Sequence, residues 1–148
     1  MIEKTAGIIV YLVRVRKPQY LILESPSGWG IPKGHLSRGE SSVKAALREL
    51  HEETRIKLTS KDLDQNFVEM IKTRSYTDHD TKEKLKRSIP KHFTLFLSEV
   101  TNNRVNLSQE HSDYRWVTIK QARAIMGSSN NTYKVMKKAD KYIAKVKK

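Results

Sequence analysis

Glu49, Glu52 and Glu53 set three carboxylates at spacings of three and four residues. On a helix, residues at those spacings are neighbours, so the three share one face. Like charges so placed weaken an isolated helix, and something must offset the repulsion. A hard divalent cation does so. Magnesium takes carboxylate oxygens and keeps waters that can meet a phosphate. Such an ion neutralises phosphate oxygens and acidifies a bound water, and a free carboxylate can then accept the proton. Taken alone, the three glutamates better fit the solvated face of an ordinary amphipathic helix.

The helix that must carry them is predicted over Ser42–Thr54. Val43, Ala46, Leu47, Leu50 and Thr54 recur there with helical period and form its apolar face. Arg48 lies four residues before Glu52, the spacing of a salt bridge that would orient that glutamate. Glu40 lies near the helix start, where negative charge is favoured, and reads as structural. The lead-in, Trp29 to His35, is a glycine-bearing loop. Pro32 favours an extended Ile31, and Gly34 lets the backbone approach a ligand closely. Lys33 and His35 are positioned to face phosphates.

Gly34, five residues, Glu40, seven residues, then Arg48-Glu49-Leu50-His51-Glu52-Glu53 resembles the signature of the Nudix hydrolases. One defined position departs: Arg55 stands where the family has glycine. Glycine there usually supplies a left-handed helix stop, and an L-residue in that geometry costs about 1 kcal/mol. The departure bears on the exit loop, where Arg55 is a tolerated substitution or a phosphate contact. The family resemblance implies that Glu49, Glu52 and Glu53 hold Mg2+ or Mn2+, assisted by the carbonyl of Gly34.

A second set of residues resembles one branch of that family, the asymmetrical diadenosine tetraphosphate hydrolases. It comprises Trp29 to His35, Ile89 to Val100, and Leu107 to Trp116. By this resemblance Glu110 is a further metal ligand or base, and Tyr114 stacks on an adenine. Lys33, His35 and Lys91 hold phosphates, and Glu53, Glu110 and Arg48 form the catalytic group. A second aromatic would complete the base sandwich, and Tyr76 is the aromatic of its loop. Read without the resemblance, Glu110 is a surface loop residue, Tyr114 a half-buried strand residue and Tyr76 an exposed loop tyrosine.

The remaining chain supplies the frame. Residues 5–13 and 19–24 read as strands of a hairpin. Arg55–Leu58, Phe67–Thr73, His92–Val100 and Tyr114–Val117 read as further strand pieces. Thr59 to Asp62 reads as a turn or short helical start. Residues 74–91 are polar and lysine-rich without a period, which predicts a mobile loop over the site. Thr118 caps a helix over Ile119–Met126 that ends at Gly127. Asn131 or Thr132 caps a last helix. These elements predict an α/β fold: an α/β/α sandwich around a mixed β-sheet, as one domain over residues 1–148. The Nudix resemblance implies the same fold.

A chain without cysteine excludes disulfide and thiolate chemistry. Its longest apolar run, Ala6 to Val13, is too short to span a bilayer. The N-terminus lacks a secretory layout, so the reading is a soluble, cytoplasmic protein. An excess of 29 Lys+Arg over 16 Asp+Glu, formally +13, favours polyanionic partners. Part of it is the stretch Lys134–Lys148 with seven lysines, which reads as a solvated helix face. The expected activity is metal-dependent hydrolysis of a nucleoside polyphosphate, foremost diadenosine tetraphosphate to ATP and AMP. Three alternatives share the charge pattern: cleavage at a triphosphorylated or capped RNA 5′ end, hydrolysis of a diphosphoinositol polyphosphate, and a nucleotide- or RNA-binding module on a catalytically silent scaffold.

Overall fold

The computed structural model describes residues 1–147; Lys148, the last of the seven lysines, lies outside them. The chain runs β1 (Glu3–Arg14), β2 (Lys17–Ser25), β3 (Gly28–Gly30), β4 (Lys33–His35) and α1 (Ser42–Thr54), then a short 3-10 turn at Ser60–Asp62. It continues through β5 (Val68–Thr77), β6 (Lys84–Glu99), β7 (Asp113–Val117), α2 (Ile119–Met126) and α3 (Asn131–Val146). The seven strands form one sheet ordered β3-β2-β1-β6-β5, with β4 also on β1 and β7 also on β2. β1 and β6 run parallel from Glu3↔Lys91 to Tyr11↔Glu99, and the other pairs are antiparallel. The sheet is therefore mixed, as expected.

β1 is apolar on both sides because both sheet faces are covered. Ile9, Tyr11, Tyr20, Ile22, Leu95 and Leu97 pack under Ala122 of α2 and Met136, Ala139 and Ile143 of α3. Ile8, Val10, Leu21, Leu23 and Phe96 pack under Ala45, Ala46 and Leu50 of α1. Leu50 is fully buried, and truncating such a residue to alanine costs about 2–5 kcal/mol. This is the predicted α/β/α sandwich, with α1, among the described residues, alone on one face. Among the described residues no helix is long and apolar enough to cross a membrane.

Along one edge β1 changes partner. β4 pairs with it at Thr5–Gly7 and β2 at Tyr11–Arg14. The segment linking β2 to β4, Pro26–Pro32, crosses between them and contains β3, a short strand that the sequence reading treated as part of a loop.

The structure departs from three expectations of the sequence. Residues 74–91 are not a loop: β5 and β6 form a long hairpin, paired from Val68↔Phe96 to Thr77↔Lys84, and only 78–83 turn. Asp78 organises that turn, its Oδ1 accepting from the amides of Asp80 and Thr81 at 2.9 Å each. Arg55–Leu58 form no strand. They run unpaired beneath α1, where Ile56 and Leu58 pack on the core. The last helix is capped by Asn130, whose side chain accepts from the Tyr133 amide at 3.0 Å, one residue earlier than expected.

Candidate active site

α1 begins at Ser41, whose side chain accepts from the Lys44 amide, and its apolar face locks it to β1. It ends at Arg55, which keeps the left-handed geometry (φ 64°) and donates its amide to the His51 carbonyl. The helix is thus oriented at both ends, and its acidic face meets β4.

Arg48 fixes the carboxylates. Its Nε and Nη2 donate to the two oxygens of Glu40 at 2.8 and 2.9 Å, a bidentate pair. Nη2 also reaches the His35 carbonyl at 3.1 Å. Nη1 donates to Glu49 at 2.8 Å and to Glu52 at 3.2 Å. One guanidinium therefore ties β4, the loop before α1 and two helix glutamates together. The Arg48 hydrogen bond, backed by the Ser37 amide, lowers Glu40 to a pKa of about 2. The expected Arg48–Glu52 pair is present, and Glu40 has the structural role read from the sequence.

Glu53 lies deeper. Its side chain is buried, and Oε1 accepts from the Lys33 amide at 3.1 Å. Burial, then the adjoining Glu49 carboxylate, pushes Glu53 well above the ordinary carboxylate range. Glu52 is more exposed and turns outward.

The opposite wall comes from the segment before β7. The Asn106 amide donates to the Thr54 carbonyl at 2.9 Å and the Ser108 amide to the Glu53 carbonyl at 3.0 Å. Helix ends leave carbonyls without partners, and this segment satisfies two of them. The strap brings Glu110 and His111 to the mouth of a cleft of about 440 Å3, which Lys33, Glu53, Trp29, Asn130 and Thr132 also line.

The structure therefore joins Lys33, Glu53 and Glu110, from three distant stretches, at one cleft. Glu49 lies against Gly34, and Glu52 is exposed beside Arg48; neither lines the cleft. Burial, then the nearby Lys91, lowers the pKa of Lys33, although part of its side chain meets solvent. Lys91 thus flanks the Lys33 side. His35 is engaged elsewhere, with Glu3 at 2.6 Å and stacked on His79. Tyr114 is partly exposed on β7 opposite Leu23, Tyr76 is exposed near the end of β5, and neither lines the cleft. Arg55 lines a separate groove with Lys57 and Arg104.

Sequence reasoning missed His111. Its side chain is largely buried, with Nε2 3.9 Å from Glu53 and Nδ1 3.3 Å from the Ser108 hydroxyl. Burial lowers its pKa, which favours the neutral ring. Its only signal was adjacency to Glu110. Trp29, half-buried at the cleft and with the Arg115 guanidinium 5.1 Å from its ring centre, was seen only as part of a motif.

These residues fit a hard divalent cation. The donors are all oxygens, the kind that magnesium takes. Burial, and after it the adjoining Glu49 carboxylate, makes Glu53 favour its protonated form, and a cation would replace that proton. A Cβ on Gly34 would collide with the Glu49 carboxylate, so only glycine lets backbone and carboxylate converge there.

Comparison with known proteins agrees with this geometry. The NUDIX domain family model matches residues 3–139. The chain is 33% identical over 133 residues to the asymmetrical bis(5′-nucleosyl)-tetraphosphatase of Sus scrofa, covering 82% of this chain and 83% of that protein. It is 29% identical over 126 residues to the protein of that name from Caenorhabditis elegans, with 82% and 83% covered. A crystal structure of a C. elegans Ap4A hydrolase binary complex superposes with a TM-score of 0.79 at 25% identity, covering 97% of this chain and 98% of that one. With the family model spanning nearly the whole chain and the glutamate helix, its arginine clasp and the motif glycine in place, this protein belongs to the Nudix family of pyrophosphohydrolases.

Proposed function

We propose that this enzyme hydrolyses a phosphoanhydride of a dinucleoside polyphosphate, with diadenosine tetraphosphate giving ATP and AMP as its principal reaction. The observation that carries this reading is the meeting of Lys33, Glu53 and Glu110 at one cleft. The likeness to asymmetrical tetraphosphatases supports the choice of substrate.

Glu49, Glu52, Glu53, Glu110 and the Gly34 carbonyl would hold Mg2+ or Mn2+. When bound, such an ion screens the phosphate oxygens and acidifies a coordinated water. Lys33 and Lys91 pair with phosphate oxygens and draw the anhydride against the glutamates. Arg48 holds the Glu49 and Glu52 carboxylates in place, Glu49 against Gly34 and Glu52 on the exposed side. Glu53 or Glu110 accepts the proton of the attacking water, and His111, neutral beside Glu53, offers that proton a further acceptor. Tyr114 and Tyr76 lie outside the cleft; Tyr114 would stack on a base that extends beyond it, and Tyr76 would be the second aromatic. Stacking is worth about 1–3 kcal/mol per base.

The formal charge of +13 favours one other substrate, the triphosphorylated or capped 5′ end of RNA. The two readings differ in product. The test incubates the protein with magnesium and a panel of diadenosine tetraphosphate, triphosphate-ended RNA, capped RNA and diphosphoinositol phosphates. ATP and AMP from diadenosine tetraphosphate, at the highest kcat/KM of the panel, is the expected result. A higher kcat/KM on an RNA end or an inositol substrate would replace this assignment.

A further inference from the structure

A second cluster of metal-binding side chains lies outside the cleft. Glu3 opens β1, His35 ends β4, and His79 sits in the β5–β6 turn. One ligating atom from each lies within 4.8 Å of the other two. They border a hollow of about 610 Å3 between the N-terminus and that turn. His35 Nε2 approaches Glu3 Oε1 at 2.6 Å, and the two imidazoles stack with centres 3.4 Å apart.

A Glu3–His35 hydrogen bond alone leaves one observation unexplained. The Glu3 side chain is nine-tenths buried, yet among the described residues its second oxygen, Oε2, has no partner at hydrogen-bond distance; the nearby Ser75 hydroxyl donates to the Thr77 carbonyl instead. Buried carboxylate oxygens without partners are costly and call for an explanation, an ion among them. Lys91 lies opposite Glu3 on β6, and its charge is felt by the carboxylate without bonding that oxygen.

We propose that Glu3, His35 and His79 form a second metal site, for a borderline transition-metal cation of the Zn2+ class. Two imidazoles with one carboxylate are a donor set that zinc accepts, whereas magnesium prefers all-oxygen sets. Three protein donors leave a fourth position open for water or an anion. His79 is exposed in the turn, so bringing one of its nitrogens to the ion requires its ring to leave the stack on His35. The site does not depend on which phosphoanhydride the enzyme cleaves.

The test is calorimetric titration of the chelator-treated chain with Zn2+, at saturating Mg2+ so that the acidic helix face is filled. One Zn2+ per chain is expected. His79→Ala, on an exposed turn, and Glu3→Gln should each weaken binding by more than the ~10–100-fold that losing an outer-shell partner costs. His51→Ala, which removes an exposed histidine elsewhere, should leave it unchanged. Co2+ gives a second readout: its visible absorption should carry histidine ligation in the wild type and lose it in His79→Ala. Wild-type Zn2+ affinity retained in both His79→Ala and Glu3→Gln, or no Zn2+ bound by the wild type, would overturn the proposal.

Discussion

Gly34 has no side chain, and the Glu49 carboxylate occupies the space one would need. The colliding atoms are the far end of a side chain, but Arg48 and Glu53 hold that end in place. Gly34→Ala should therefore push the Glu49 carboxylate off Arg48, at a cost of roughly 1–3 kcal/mol in stability, while metal affinity and kcat/KM fall by ~10-fold or more. Thermal melts and Mg2+ titration check this, and an alanine variant of wild-type activity would contradict the role given to Gly34. Glu53 gives a pH prediction. Its folded pKa is raised, so between its ordinary value of 4.5 and the raised one the folded chain holds a proton that the unfolded chain has released. Its contribution to stability then falls as pH rises through that window. His35 and His111, with lowered values, pull the other way, and Glu40 acts below it. The difference between wild type and Glu53→Gln isolates the effect. In chelator, wild type should lose stability relative to Glu53→Gln as pH climbs from roughly 5 to 8, and saturating Mg2+ should cancel the loss. A pH-independent difference in chelator would show Glu53 to be ordinarily ionised.

α1 and the strap that closes over its end are the elements on which the site depends. The extent of α1 was legible because the apolar period and the motif spacing agree on it. α2 was equally legible from Thr118 and Gly127. The 74–91 hairpin was not. β5 lies at the sheet edge and is exposed along much of both faces, so its residues need no apolar alternation, and backbone pairing to β6 carries it. Arg55–Leu58 misled for the opposite reason: Ile56 and Leu58 are apolar because they cover the core from an unpaired segment. The contribution of the strap could not be read at all, since it rests on backbone bonds from Asn106 and Ser108 to the end of a helix some fifty residues earlier. Arg55 tests the helix exit. It holds a conformation that glycine takes freely, so Arg55→Gly should raise stability by up to ~1 kcal/mol, seen as a higher urea midpoint at unchanged slope. A lower midpoint would mean that the arginine side chain contributes something its exposed position does not show.

At the scale of the molecule, one sheet gathers glutamates from a helix, a lysine from a short strand and a further glutamate from a distant loop. The Trp29–His35 and Leu107–Trp116 stretches were legible one by one, but their convergence on a cleft was not. His35, read as a phosphate ligand, turned out to face Glu3 and His79, because a side chain's direction along β4 depends on a pairing with β1 that no local pattern reveals. The formal charge of +13 should draw polyphosphates toward the whole surface. Raising ionic strength from roughly 0.01 to 0.15 M, which shortens the Debye length from about 30 to 8 Å, should raise KM for diadenosine tetraphosphate more than it lowers kcat. A KM indifferent to salt would confine the electrostatics to the cleft itself. The central claim is that the acidic face of α1 is the catalytic metal site, and Glu53→Gln tests it most directly, because it keeps the shape of the side chain and removes its charge. Turnover of diadenosine tetraphosphate at saturating Mg2+ should fall by at least ~100-fold while the melting temperature in chelator is no lower than that of the wild type. Turnover near the wild-type rate in that variant would contradict the account.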